Sequence, residues 1–569
     1  MVAPDASEDL VERLQGGSLS YSAVARGFDT PQEILSAARS DYRTLIAILY
    51  DSGHYSPVIN IRVDGREAAD IPLLDTPPRI NRIDISVKPG PAFRFGKAVV
   101  APLAEGTELP SGFATGQPAP SGLLQAAAAA SISRWRDVGH AKADVGEQKI
   151  VARHSEAVLD AEIRILPGPK LNFGRATVDG NKNVRTDAIT RIAGFPTGEV
   201  FDPEDAKLVA RRLRRTGSFS SVSLREAAEP NPDGTLDFEI GIVEAVPRRI
   251  ELGAEISSEQ GLELSFKWTH RNMFGGAERL QFESRIRNIG GSEDIDGLLS
   301  VRLDRPAFFG PDNDLFYIAE LEQLSETHYD LFRSNIGVGV RRVFSEDLFG
   351  EISIAAGYNI SDDVYGNDRE FYFLYLPLRL QWDKRDDPVS ATEGFYLNVD
   401  AVPFAGFKNT ESGLYGLLDG RGYLGLGADN KVVLAGRFQL GTVLGASVQN
   451  ISPDLLFYSG GAGSVRGQPY QSLGIPVAGG VSGGRSFLGL SAEIRTQVTE
   501  KLGLVGFFDY GALDSGRVID ANSPSHSGAG LGVRYSISGI GALRLDLAYP
   551  VDGTTSDGLQ FYFGIGQAF

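Results

Sequence analysis

From Arg248 to the last residue the chain keeps one rule: apolar and polar residues alternate, segment after segment. GLELSFKWTH places Leu262, Leu264, Phe266 and Trp268 on one face and Glu263, Ser265, Lys267 and Thr269 on the other. ERLQFESRIR sets Leu280, Phe282 and Ile286 against Arg279, Gln281, Glu283, Arg285 and Arg287. GALRLDLAYP sets Leu543, Leu545, Leu547 and Tyr549 against Arg544 and Asp546. A period of two is the period of a strand with unlike faces. A soluble sandwich also alternates. Here the pattern runs unbroken through segments of about 10 residues with aromatics near their ends, which is the pattern of a transmembrane β-barrel. At about 20 residues per strand and loop, the stretch predicts about 16 strands. No apolar run approaches the roughly 20 residues that a membrane helix needs.

Residues 1–246 follow a different rule, an internal repeat. Three segments read as helix end, glycine turn, then strand: LYDSGHYSPVINI, WRDVGHAKADV and LRRTGSFSSVSL. Their glycines, Gly53, Gly139 and Gly217, lie about 80 residues apart. RIDISVKPGP, AEIRILPGP and LDFEIGIVEAVP close the units, and FRFGKAVV and LNFGRATVDG open the second and third. Each full unit therefore predicts strand, helix, helix, strand, strand. Ser133–Val138 and Pro203–Arg215 are expected as second helices that stop at their glycines. The first unit lacks its opening strand. The predicted units are 1–90, 91–168 and 169–246, and the barrel is 247–569. Strands after the turn glycines (Val58–Val63, Ala143–Glu147 and Val222–Glu226) are candidate sheet edges able to accept a partner's strand. The basic run Arg211, Arg212, Arg214 and Arg215 reads as a solvated helix face, or as a contact to lipid head groups or barrel turns.

The formal net charge of -18 argues against a nucleic-acid partner, which needs a basic face. The absence of cysteine removes disulfides, thiolate metal sites and thiol nucleophiles. The six histidines show no ligand spacing. Gly480-Val481-Ser482-Gly483-Gly484 fits a nucleophile-elbow pattern but is followed by no helix signal. No enzyme, metal or cofactor is expected. MVAPDASEDL lacks a charged or apolar leader, which suits a mature chain whose signal peptide has been removed.

One loop stands out within the barrel. Gly460–Tyr470 (GGAGSVRGQPY) is glycine-rich and carries a single strong cation, Arg466. SAEIR and FFDYG place Glu493 and Asp509 on the non-apolar sides of strands. An arginine facing two carboxylates in a lumen would form a charge-assisted lock.

Three POTRA-like units followed by this barrel resemble the outer-membrane assembly superfamily, whose branches include BamA, TamA and the two-partner secretion transporters. Val465-Arg466-Gly467 is similar to that family's VRG(F/Y) loop motif, with Gln468 in the aromatic place and Tyr470 two residues on. The resemblance implies that Arg466 folds into the lumen against Glu493 and Asp509. QWDKRDDPVSATEGFYL resembles the family's strand-turn segment and is read as structural. The last segment, LQFYFGIGQAF, ends on an aromatic residue like the signal that directs barrels to the bacterial outer membrane. Three units with an acidic barrel resemble the TamA branch. This implies a TamB-like partner anchored in the inner membrane, and autotransporters and other nascent outer-membrane proteins as cargo. The alternative is a two-partner-type transporter passing an unfolded chain through its pore.

A barrel must close its first strand on its last. Ile250 and Gly253 fall in the first, and Gly564, Gly566 and Phe569 in the last. Gly564 and Gly566 weaken pairing there, and a weak seam in the bilayer can open sideways and offer its edges to an incoming strand.

Overall fold

The computed structural model describes all of the chain except residues 24–27, 29, 258–260, 292–293, 538–540, 554–557 and 566–569. The chain divides into two compact units. One holds Met1–Thr177, Phe195–Leu208 and Arg225–Glu239, and the other holds Val178–Gly194, Val209–Leu224 and Ile240–Phe569.

The N-terminal elements are α1 (Glu8–Gly17), α2 (Pro31–Asp51), β1 (Val58–Val63), β2 (Arg66–Glu67), β3 (Ile83–Lys88), β4 (Arg94–Ala101) and α3 (Ser121–Asp137). They continue with β5 (Asp144–Arg153), β6 (Val158–Leu166), β7 (Asn172–Asp179), α4 (Thr186–Ala193), α5 (Pro203–Arg215), β8 (Phe219–Glu226) and β9 (Thr235–Glu244). Local signals explain the helices. Thr30 and Glu33 form a reciprocal capping box ahead of α2, with Pro31 at its first position. Gly194 ends α4 in the left-handed region.

These strands make three small sheets, ordered β2–β1–β3, β4–β6–β5 and β7–β9–β8. In each, the strand after the turn glycine lies outermost or, for β1, is covered only by the two-residue β2. The first unit begins with α1, and ahead of it Val2 makes an isolated parallel bridge to β3, exchanging hydrogen bonds of 2.8 and 2.9 Å with Ile85 and Val87. One detail differs from the repeat read in the sequence. The second unit carries one α-helix, not two. Residues 102–120 hold no α-helix, because Pro102, Gly106, Pro110, Gly112, Gly116, Pro118 and Pro120 interrupt every possible turn. The helix that remains, α3, starts twelve residues before the expected Ser133 because the alanine run from Ala126 to Ala130 favours it.

The barrel strands are β10 (Arg248–Ser257), β11 (Gly261–His270), β12 (Arg279–Ile289), β13 (Asp296–Arg305), β14 (Asn313–Glu326), β15 (Tyr329–Val343), β16 (Leu348–Asp363) and β17 (Gly366–Tyr375). After β18 (Leu378–Asp383), β19 (Gly394–Phe407), β20 (Gly413–Leu426) and β21 (Val432–Leu444) comes a long loop containing the hairpin of β22 (Ile475–Val477) and β23 (Gly480–Ser482). β24 (Ser486–Gln497), β25 (Leu502–Asp514), β26 (Ser525–Ile537), β27 (Gly541–Asp552) and β28 (Gln560–Ile565) complete it. All but β22 and β23 join one antiparallel sheet of seventeen segments in sequence order. β17 and β18 both lie between β16 and β19. They are one span interrupted at Leu376–Pro377, where proline has no N–H to give the ladder. Among the described residues the sheet thus has 16 spans, where the alternation predicted about 16. No helix among the described residues is long and apolar enough to cross a membrane.

The period-two rule sorts the faces. On β25, Leu504 and Phe508 point outward and are exposed, while Val505, Phe507 and Asp509 point inward and are buried. The strand-turn segment is held by Arg385 on Asp383 and by Asp386, which accepts from the backbone of Thr392 and Glu393. Gly394, at φ +93°, is required there: a Cβ would stand 2.0 Å from the Lys384 carbonyl oxygen.

Candidate functional site

The loop of residues 445–485 packs an apolar body inside the barrel. Ile451, Leu456, Phe457 and Leu473 are buried against Phe371, Phe373, Phe404, Phe487 and Leu513. Phe457 stacks between Tyr415 and Phe487. Polar ties fasten it at the sides. Arg333 reaches Asp454 at 3.1 Å, Tyr470 donates to Glu326 at 2.9 Å, and Ser459 meets the His526 ring at 2.9 Å.

At the tip, Val465 is fully buried and Arg466 is 2% exposed. The structure brings Arg466 together with Glu493 and Asp509. Its Nε and Nη2 form a fork on Asp509 at 2.7 and 3.0 Å, and its backbone N–H adds a third bond to the same carboxylate at 3.1 Å. Nη1 donates to Glu493 at 2.6 Å. The guanidinium lies over the Phe507 ring, 3.6 Å from its centroid. A third carboxylate, not assigned to the lock from sequence, also takes part: Asp546 on β27, 3.4 Å from Nη1. Its signal was present, since LRLDLAYP puts Asp546 on the polar face, but no spacing rule links β27 to β24 and β25.

Each carboxylate sits where the strand period puts it, and the register lines them up. Ser491 on β24 faces Asp509, and Gly532 on β26 faces Asp546. Glu493 and Asp546 have further cations: Arg495 at 2.8 Å from Glu493, and Arg534 on Asp546. Such a buried network is weak evidence for stability, because desolvation offsets the Coulomb gain. It is a good registry device, since a fork–fork pair tolerates little displacement. The loop backbone also lies flush on the wall. A Cβ on Gly528 would stand 1.9 Å from the Arg466 carbonyl oxygen, and one on Gly467, at φ +96°, would stand 2.8 Å from that of Tyr549. Gln468, in the place of the family's aromatic, is fully buried; its amide donates to the carbonyls of Ser527 and Asp552 at 2.8 and 3.0 Å.

Of the seam residues, Ile250, Gly253 and Gly564 fall on the two ends of the sheet. Ile250 on β10 is 64% exposed on the outer face, and Gly253 points inward at Ser265. Gly564 on β28 faces Arg544. Gly566 and Phe569 lie outside the described residues. β28 pairs with β27 over six residues. β10 and β28 approach each other, but no ladder joins them among the described residues.

The basic run on α5 meets barrel turns. Arg212 holds Asp312 at 2.6 Å, Arg215 holds it at 3.4 Å, and Arg211 pairs with Glu346 at 3.0 Å. Arg214 donates instead to the Val222 carbonyl. The Arg212 and Arg215 guanidiniums outweigh the opposing effect of burial and hold the Asp312 carboxyl below its usual range.

Sixteen spans, a lumenal loop locked by a buried arginine and small α+β modules ahead of the barrel define an outer-membrane β-barrel protein with periplasmic modules. The comparisons agree. The Omp85 superfamily domain matches residues 248–569, and the surface antigen variable number repeat, a POTRA domain, matches 171–245. The chain belongs to the Omp85 superfamily. It is 25% identical over 464 residues to the outer membrane protein assembly factor BamA of Nitratidesulfovibrio vulgaris, covering 76% of this chain and 56% of that protein. It is 22% identical to BamA of Neisseria meningitidis serogroup B, covering 88% of this chain and 70% of that one. The chain thus spans little more than half the length of the first of these relatives. Its fold matches the crystal structure of Haemophilus ducreyi BamA lacking POTRA domains 1–3, with a TM-score of 0.65 at 16% identity, over 84% of this chain and 99% of that one. The protein is an outer-membrane barrel whose POTRA region lies in the periplasm.

Proposed function

We propose that this protein is an assembly factor that inserts nascent β-barrel proteins into the outer membrane through the β10/β28 seam. The observation that carries this is the state of the two sheet ends. β28 contributes a six-residue ladder on one side, and no ladder joins it to β10 among the described residues. An unpaired edge is a template for another strand, and inside a bilayer an unpaired backbone group has no water to satisfy it. An incoming strand that pairs with β10 or β28 satisfies both chains at once. The driving force is the folding and lipid burial of the cargo, and no nucleotide is needed.

The finer reading is a TamA-like factor with autotransporters among its cargo and a TamB-like partner anchored in the inner membrane. Its support is the three-unit N-terminal pattern and the outer strands β5 and β8, each open on one side for strand addition. Purified protein in liposomes tests the main reading. It should speed the folding of a urea-unfolded outer-membrane barrel, read as heat-resistant mobility on gels. Passage of an unfolded chain into the liposome lumen without barrel folding would instead favour a two-partner-type transporter.

A further inference from the structure

The lock and the seam are joined through one side chain. Tyr562 stands in the middle of β28 on its inner face and is 3% exposed. Its ring packs with Val505, Phe507 and Ala548. Its hydroxyl accepts from the Gly467 backbone N–H at 2.9 Å and donates to the Gln468 carbonyl at 3.1 Å. Both residues follow Arg466 directly. The loop tip is therefore bonded to β24, β25 and β27 through Arg466, and to β28 through Tyr562.

The consequence follows from how little else holds β28. Its ladder to β27 has six residues, and its other edge carries no ladder among the described residues. Two hydrogen bonds from a buried hydroxyl are a large addition to such an attachment. The chemistry suits tyrosine alone. The site needs one group that fills apolar space and both donates and accepts at its tip; phenylalanine does neither, and tryptophan only donates.

We infer that Tyr562 is a positioning residue that couples the lumenal loop to the seam. While Arg466 is docked, the Tyr562 hydroxyl holds β28 in place; when the tip withdraws, the last strand loses that restraint. This rests on the seam reading above and adds to it a named link between loop and gate.

The test uses the whole chain of residues 1–569, which holds no native cysteine. One cysteine is placed on β10 and one on β28, away from Tyr562, and the rate of disulfide formation across the seam is measured. Four backgrounds are compared: unaltered, Arg466→Gln, Tyr562→Phe and both. Leaving the buried Gly467 N–H without its partner should shift the population of the held strand about tenfold. Arg466→Gln should then change the cross-linking rate severalfold when Tyr562 is present and hardly at all in the Tyr562→Phe background. Equal changes in both backgrounds mean independent sites and overturn the coupling. If Tyr562→Phe gives no heat-modifiable barrel, the reverse experiment decides. Linkage is reciprocal, so closing the seam by oxidation should slow protease cleavage of the 445–485 loop in protein that keeps Tyr562. Unchanged cleavage overturns the proposal. Both arms read strand and loop positions without insertion activity, so failure of the coupling is distinct from failure of the assembly reading.

Discussion

Arg466→Ala is the sharpest perturbation of the site. It removes a guanidinium that is 2% exposed and in contact with three carboxylates. The three are not left equal. Glu493 keeps Arg495 and Asp546 keeps Arg534. Asp509, 1% exposed, loses the fork that held both of its oxygens. Breaking a buried pair from one side costs about 3–5 kcal/mol, because a charge stays buried without its partner. At about 1.4 kcal/mol per factor of ten, the docked loop loses about 10²–10⁴-fold against the undocked one. The strand ladders are untouched, so the barrel should persist while the loop tip is released. The assay is limited proteolysis of the 445–485 loop beside heat-modifiable mobility, in membranes. Rapid loop cleavage of a still heat-modifiable barrel is expected. Arg466→Met with Asp509→Leu removes both partners and should regain most of the protection, since an apolar pair of similar volume is often neutral. A loop as protected in Arg466→Ala as in the unaltered protein would refute this reasoning, as would a double variant no better than the single one.

Gly528→Ala should undock the same loop without touching a charge, since its Cβ would stand 1.9 Å from the Arg466 carbonyl oxygen; Gly422→Ala, with nothing within 4 Å, should leave proteolysis unchanged. Glu244 accepts from the backbone N–H groups of Lys182, Asn183 and Val184 at 2.8, 2.7 and 2.8 Å. These bonds outweigh the opposing effect of burial and lower its pKa from 4.5 to about 2. A lowered folded value means the stabilisation is complete above pH 4.5 and is lost as pH falls toward 2. Glu244→Gln should cost about 1 kcal/mol after solvent screening and flatten that acid limb, read as circular dichroism against pH. Arg212→Ala with Arg215→Ala leaves Asp312 without either guanidinium. A loss of about 1–3 kcal/mol should appear as faster hydrogen exchange in the 306–312 turn. Exchange equal to that of the unaltered protein would show that the pairing contributes nothing.

The barrel was legible because alternation at period two is a direct imprint of a wall with lipid on one side, and Leu504, Phe508, Val505 and Asp509 each face the way the pattern put them. The span broken at Leu376–Pro377 was not separately readable, since one proline in a strand does not say whether the ladder resumes. Arg466, Glu493 and Asp509 could be named because Arg466 is the one strong cation of a glycine-rich loop and the alternation puts both carboxylates on the polar faces of their strands, where the resemblance to the VRG loop motif also places them. Asp546 and Tyr562 could not be assigned to the site. Both join it through the register between strands far apart in sequence, and local spacing does not encode that register. The missing helix of the second unit shows the opposite case. The prolines and glycines between Pro102 and Pro120 are plain in the sequence, and this local chemistry overrides the helix that the repeat predicts there.

Entry of cargo through the proposed β10/β28 seam is tested most directly by closing that seam covalently. One cysteine scanned across residues 250–256 and another across 560–565 would find a pair that closes it, and the absence of native cysteine leaves no competing thiol. The protein is then reconstituted in liposomes, and folding of an added outer-membrane barrel is followed with the pair oxidised and again after reduction. Oxidation is expected to stop insertion, and reduction to restore it. Insertion at the same rate with the seam covalently closed would contradict entry through the seam.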